Sequence, residues 1–192
     1  DEMNGFLPQS IETAMEVQYI ADLQLNIITP KTSTPIIAQK QDQLLGAYNM
    51  TADRFKYSWR TVMNFLSATT EGLNSRIEKN RDYSGRELFS FILPEKVNLT
   101  IKADGNTPGI VIKNGKILSG QLASGSLGEG KDEGIVQVIW DQYGPSKTKE
   151  FLNNSTKLIN NFNFHHGMSV GIGDLILTTE NFNKLQLIFE QK

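Results

Sequence analysis

Apolar residues along the chain fall into helix-spaced and strand-spaced groups separated by polar breaks. The longest helical signal follows Gly144-Pro145. Proline suits a first helical position, where its missing amide costs nothing. Phe151, Leu152, Ser155, Leu158, Ile159 and Phe162 then repeat at helical spacing, and Gly167 ends the run. Ser10 is placed to cap an earlier helix running to about Asp22, with Ile11, Ala14, Met15, Val17 and Ala21 as its core stripe. Leu25 to Ile28 reads as a short extended segment stopped by Pro30. Gln41 to Met50 reads as a short helix closed at Thr51, with Asp42 favoured by the dipole at its start. A further helix runs from Tyr57-Ser58 to about Thr69 through Trp59, Val62, Met63 and Leu66. Thr178 or Thr179 caps a last helix, with Phe182, Leu185, Ile188 and Phe189 expected inside. That helix runs to Lys192 without a cap and reads as a cut chain.

The strand signals cluster in the middle. Val97 to Ile101 alternates, and Ile110 to Leu118 places Asn114-Gly115 between two apolar runs. Both turn residues tolerate positive φ, so a two-residue hairpin is expected. Gly134 to Trp140 reads as a further strand, while Thr70 to Tyr83 is polar and reads as a surface excursion. The pattern predicts an α+β fold: a small antiparallel or mixed sheet with several packed helices.

Composition narrows the function classes. The chain has 192 residues, with 39% hydrophobic and 21% charged, as in a soluble globular protein of one good-sized domain or one domain plus a piece of another. A net charge of −2 argues against a main grip on nucleic acid, which needs a basic patch. With no cysteine there is no disulfide framework and no cysteine zinc site. No apolar run approaches the ~18 residues of a membrane span, and no signal segment opens the chain. Glycosylation-type triplets at Asn49, Asn98, Asn153 and Asn154 read as chance in an asparagine-rich chain.

Three short motifs invite other readings. Gly125 to Lys131 fits G-x-x-x-x-G-K, but Asp132 stands where a P-loop needs Ser or Thr, and a β-rich run follows. A loop joining two strands is the expectation there. Gly167-Met-Ser169-Val-Gly171 fits a nucleophile elbow, yet a helix precedes Ser169 and both histidines come before it. His165-His166 reads as cations near a helix C-terminus rather than a metal site.

A longer set of residues resembles one family. Asp1-Glu2-Met3, then Pro8-Gln9-Ser10, is similar to the end of the aspartate-rich active-site loop in the largest subunit of multi-subunit DNA-dependent RNA polymerases. Pro35-Ile36-Ile37, Gln41-Asp42, Leu45-Gly46, Tyr48, Met50-Thr51 and Ser84-Gly85-Arg86 resemble further motifs of that subunit. Arg86 stands where the family usually has lysine. Tyr143-Gly144-Pro145 and the glycine-rich run from His165 to Asp174 resemble the passage from pore domain to funnel. The chain departs from the pattern at Phe6, where the family usually has histidine, and around Ser124-Gly125, where it has a basic residue.

The resemblance implies an internal fragment of the eukaryotic or large-DNA-virus sort. Residues 1–10 would end the active-site loop, 11–166 form the pore domain, and 167–192 the junction and first funnel helix. It implies nucleotidyl transfer from NTPs to an RNA 3′ end on a DNA template, with Mg²⁺ held by Asp1 and two aspartates upstream. Glu2 stands beside Asp1 as a second candidate, and Gln41, Asp42, Arg86 and Asp174 are possible pore and motif positions, with a structural role as the alternative. The implied partners are the second-largest and other polymerase subunits, template DNA, the RNA 3′ end and NTPs, with no membrane. The implied compartment is the nucleus, or host cytoplasm and virion for a viral protein. The fragment alone is expected to be inactive. The alternative is a standalone, non-catalytic α+β interaction module.

Overall fold

The structure, a computed structural model, describes residues 3–69, 77–105 and 107–190. The elements are α1 (Ile11–Tyr19), a 3₁₀ turn (Leu23–Asn26), β1 (Ile28–Thr29), β2 (Thr34–Pro35), α2 (Asp42–Met50), β3 (Lys56–Ser58) and α3 (Trp59–Leu66). Then come β4 (Asp82–Ser84), α4 (Gly85–Ser90), β5 (Leu99–Ile101), β6 (Ile110–Lys113), β7 (Lys116–Gly120) and α5 (Ser124–Leu127). The last are α6 (Ile135–His166), a second 3₁₀ turn (Ile172–Leu175) and α7 (Thr179–Glu190). The fold is α+β. Its strands form three small antiparallel sheets: β1-β2, β3-β4 and β5-β6-β7.

The β6-β7 hairpin forms as its sequence dictates. Asn114 and Gly115 take φ of 49° and 69°, as a two-residue turn matched to strand twist requires. The turn is docked as well as closed: Asn114 N donates to Asn98 Oδ1 at 2.9 Å, and Gly115 N to the Val97 carbonyl at 2.9 Å. A bulge follows, because Ile112 faces Ile117 while Val111 faces Ser119, leaving Leu118 without a partner.

Helix α6 is the axis of the core. Its stripe of Phe151, Leu152, Ser155, Leu158, Ile159 and Phe162 is buried, and α2, α3 and α5 pack along it. Gly144, with φ 78° and ψ −177°, breaks the helix just before Pro145, so a separate helical run does start at Gly144-Pro145. Gly167 closes it at φ 52°. Helix α4 begins in a capping box: Ser84 Oγ accepts from Glu87 N, and Glu87 Oε2 accepts from Ser84 N at 2.9 Å. Gly85 lies so close to the end of α2 that an added Cβ would sit 1.7 Å from the Met50 carbonyl oxygen.

Several sequence expectations are corrected. Residues 135–140 are helix, not strand. Ile135, Val136 and Ile139 are buried at helical spacing, and Gln137 Nε2 donates to Asp141 Oδ1 one turn on at 3.1 Å. Burial on one side of a helix overrides the β preference of branched residues. The stripe of α1 is not core: none of its residues is buried, and Ile11 is 80% exposed. The Ser10 cap does form, with Thr13 N donating to Ser10 Oγ at 3.2 Å. Likewise Phe182, Leu185, Ile188 and Phe189 on α7 are all exposed. Leu25 lies in the 3₁₀ turn rather than a strand, and only Ile28–Thr29 is extended. The segment 125–131 does not join two strands; it leads from β7 through α5 into α6. Tyr57-Ser58 belongs to β3, and its partner strand β4 buries Tyr83 at the end of the expected polar excursion.

Candidate functional site

The two carboxylates expected to carry chemistry, Asp1 and Glu2, lie outside the described residues. The other motif positions are placed, and they do not converge. Gln41 and Asp42 open α2. The Asp42 carbonyl accepts from Asn163 Nδ2 at 2.9 Å, which ties the start of α2 to the end of α6. Arg86 stands at the opposite end of α2, a helix roughly 13 Å long at 1.5 Å per residue. The Arg86 side chain is only 22% exposed. Its Nε donates to the Gly120 carbonyl at 2.7 Å, and a terminal nitrogen lies 2.8 Å from Asp53 Oδ1. The guanidinium fork thus braces the loop after α2 to the end of β7. Asp174 Oδ2 accepts from Gly171 N at 2.8 Å and closes its own 3₁₀ turn.

Among the described residues, no group of three or more His, Cys, Asp or Glu side chains is placed to share a cation. Those residues alone therefore do not present a Mg²⁺ site. Asp1, the ligand that the resemblance implies, is outside them.

Sequence reasoning missed the buried polar braces. Gln39 is 1% exposed, and its Nε2 donates to Ser155 Oγ at 2.7 Å and Thr156 Oγ1 at 3.1 Å. Thr51 Oγ1, buried at the end of α2, accepts from Leu122 N at 3.1 Å and donates to the Ala47 carbonyl at 2.8 Å. Partners more than 70 residues apart leave no local signal. Only Ser155, on the apolar stripe of α6, hinted at a buried polar contact.

The histidine pair stands in the last turn of α6, as expected, and His166 makes ring contacts there. The His166 ring stacks on Phe162 at 4.6 Å and lies 5.2 Å from Phe55. Its pKa is lowered, first by burial against these rings and then by the neighbouring His165. The ring thus packs on one aromatic face at the end of α6 while the residue stays exposed to solvent. Burial also pushes the Tyr57 phenol well above its usual value, with Arg54 opposing. Because the folded-state pKa of His166 lies below its unfolded value, the unfolded chain binds the proton more readily. Its contribution is present above pH ~6.5 and is lost as pH falls below that. Thermal melts between pH 7.5 and 5.5 should show a falling midpoint, and His166→Phe should flatten that fall. An unchanged slope in the variant would remove His166 as the cause.

The fold defines an α+β module built around α6, in which Arg86, Gln39 and Thr51 hold distant elements together. The chain belongs to the family described as RNA polymerase Rpb1, domain 3, which matches residues 26–175. It is 37% identical over 177 residues to DNA-directed RNA polymerase subunit 1 of Acanthamoeba polyphaga mimivirus, covering 92% of this chain and 12% of that protein. It is 27% identical to DNA-directed RNA polymerase III subunit RPC1 of Saccharomyces cerevisiae, over 91% of this chain and 14% of that one. It is 29% identical to subunit Rpo1N of Methanothermobacter thermautotrophicus, over 91% of this chain and 21% of that one. The chain thus spans between about an eighth and a fifth of these relatives.

Proposed function

We propose that this chain is part of the largest subunit of a DNA-directed RNA polymerase of the eukaryotic or large-DNA-virus sort. In this reading the assembly transfers nucleotidyl groups from NTPs to an RNA 3′ end on a DNA template. Residues 11–166 wall the pore that admits NTPs behind the catalytic centre. Residues 1–10 end the active-site loop, and residues 167–192 form the junction and first funnel helix. The observation that carries the reading is the family match across residues 26–175. Polymerase subunits from a virus, a yeast and an archaeon align over nine-tenths of the chain in support.

Asp1 is the proposed Mg²⁺ ligand, completed by two aspartates from the rest of the subunit, with Glu2 beside it. Bound there, Mg²⁺ would supply charge stabilisation and activation of the RNA 3′ oxygen. The residues of this chain act as a rigid wall. The Arg86, Gln39 and Thr51 braces fix strand, helix and loop against one another. The second-largest and other polymerase subunits, template DNA, the RNA 3′ end and NTPs are the proposed partners. The proposed place of action is the nucleus, or host cytoplasm and virion for a viral protein. No helix among the described residues is long and apolar enough to cross a membrane.

The test is recovery of the tagged protein from its native source. The expected result is stoichiometric co-purification of a second large polymerase subunit, with template- and Mg²⁺-dependent RNA extension by the eluate. Recovery of the protein without that subunit and without extension would favour a standalone interaction module instead.

A further inference from the structure

A polar cleft of about 340 Å³ opens where the solvent side of α6 meets the first 3₁₀ turn. Ser146, Lys149, Glu150, Asn153 and Lys157 line it from α6, and Gln24 faces them from the turn. Lys149, Asn153 and Lys157 recur every four residues, so they form one row on the helix surface. All three are exposed, while Leu152, Ser155 and Leu158 on the other side are buried. Neither Lys149 nor Lys157 has an ion-pair partner among the described residues.

The carboxylates near the cleft are already engaged. Glu150 Oε2 accepts from Lys147 Nζ at 2.6 Å. Asp22 accepts from Gln24 N at 3.1 Å and from Gln24 Nε2 at 2.9 Å. Among the described residues, the unpaired charge facing the cleft is that of two ammonium groups, with the Asn153 amide between them and the Ser146 hydroxyl about one turn before Lys149. Eight residues of helix set the two lysine Cα atoms roughly 12 Å apart. Their flexible stems can close on a ligand from both ends. Across that spacing an elongated chain of phosphates meets both ammonium groups and Asn153 with the stems extended, whereas a single phosphate meets both lysines only if the stems fold toward each other.

We propose that this cleft binds an oligophosphate chain, clasped by Lys149 and Lys157 with Asn153 donating between them and Ser146 donating beyond Lys149. Lysine recognises phosphate as a compact point charge, so affinity rests on both ends being occupied and falls with added salt.

The test is calorimetric titration of the 192-residue chain with inorganic tripolyphosphate at low ionic strength. Saturable binding to one site is expected. The double variant Lys149→Gln/Lys157→Gln should weaken it by about tenfold or more, and Lys149→Arg/Lys157→Arg should restore most of it. A control pair on the hairpin, Lys113→Gln/Lys116→Gln, removes the same charge elsewhere and should change affinity by less than about twofold. All four substituted side chains are exposed, and amide spectra should show each variant folded. Absence of saturable binding, an equal loss in the hairpin control, or equally tight binding of orthophosphate or of poly-glutamate would each overturn the assignment. A nucleoside triphosphate titrated alongside separates the two sources of such a chain. Equal affinity places recognition on the phosphates, whereas binding of the nucleotide alone overturns an oligophosphate site.

Discussion

Gly120→Ala is expected to destabilise the fold by roughly 3–5 kcal/mol, by combining left-handed backbone strain with overpacking. Gly120 ends β7 at φ +90°, a conformation that an L side chain rarely adopts. A Cβ there would also stand 1.9 Å from the Gly109 carbonyl oxygen and 2.7 Å from Ile110 Cα. Both obstacles are backbone of the neighbouring strand, so no rotamer change relieves them. The Gly120 carbonyl accepts the Arg86 Nε hydrogen bond, and its displacement would loosen that brace too. Gly130→Ala is the matched comparison. Its φ is +69°, but nothing lies within 4 Å of an added Cβ. That change should cost about 1–2 kcal/mol, from strain alone. Urea unfolding of both variants decides the matter. With slopes of ~1–3 kcal/mol/M, the Gly120 midpoint should fall by more than about 1 M. Equal shifts in the two variants would mean that close strand approach contributes nothing.

Phe162→Ala should cost roughly 3–5 kcal/mol, the usual range for truncating a buried phenyl ring. Phe162 is 1% exposed and sits where α6 meets β3 and α3. Its ring centroid lies 5.9 Å from Phe55, 6.3 Å from Tyr57, 6.3 Å from Phe65 and 4.6 Å from His166. Edge contacts of this kind add to simple area burial. Phe162→Leu keeps most of the volume and should cost less than about 2 kcal/mol. The alanine variant carries a second readout. Loss of the ring stacked on His166 should move its lowered pKa back up toward the ordinary imidazole value, visible in an NMR titration of the ring protons. A destabilised variant in which the His166 titration does not move would show that the Phe162 ring is not what desolvates it.

Local chemistry was legible in the sequence wherever neighbours along the chain decide the conformation. Asn114-Gly115 sets its own turn, Ser10 caps its helix, and Gly144-Pro145 starts a helical run because φ and donor count leave little choice. The stripe of α6 was legible for the same reason, since one helix face gathers all its apolar positions. Residues 135–140 were misread because six mostly apolar residues look alike as strand or helix until something packs on one side. The motif positions could be named from resemblance, yet their work could not. Arg86 finds its carbonyl partner 34 residues away. Gln39 meets its partners more than 110 residues away.

By itself, then, the sequence determined the turns, the caps, the buried face of the longest helix and the family to which the chain belongs. Only the tertiary structure decided which apolar stripes are core. The stripes of α6 and α1 both have helical spacing, but one packs against α2, α3 and α5 while no residue of the other is buried. It also decided the placing of the polar groups. A hydrogen bond between distant residues depends on where two elements come to rest, which no local pattern encodes.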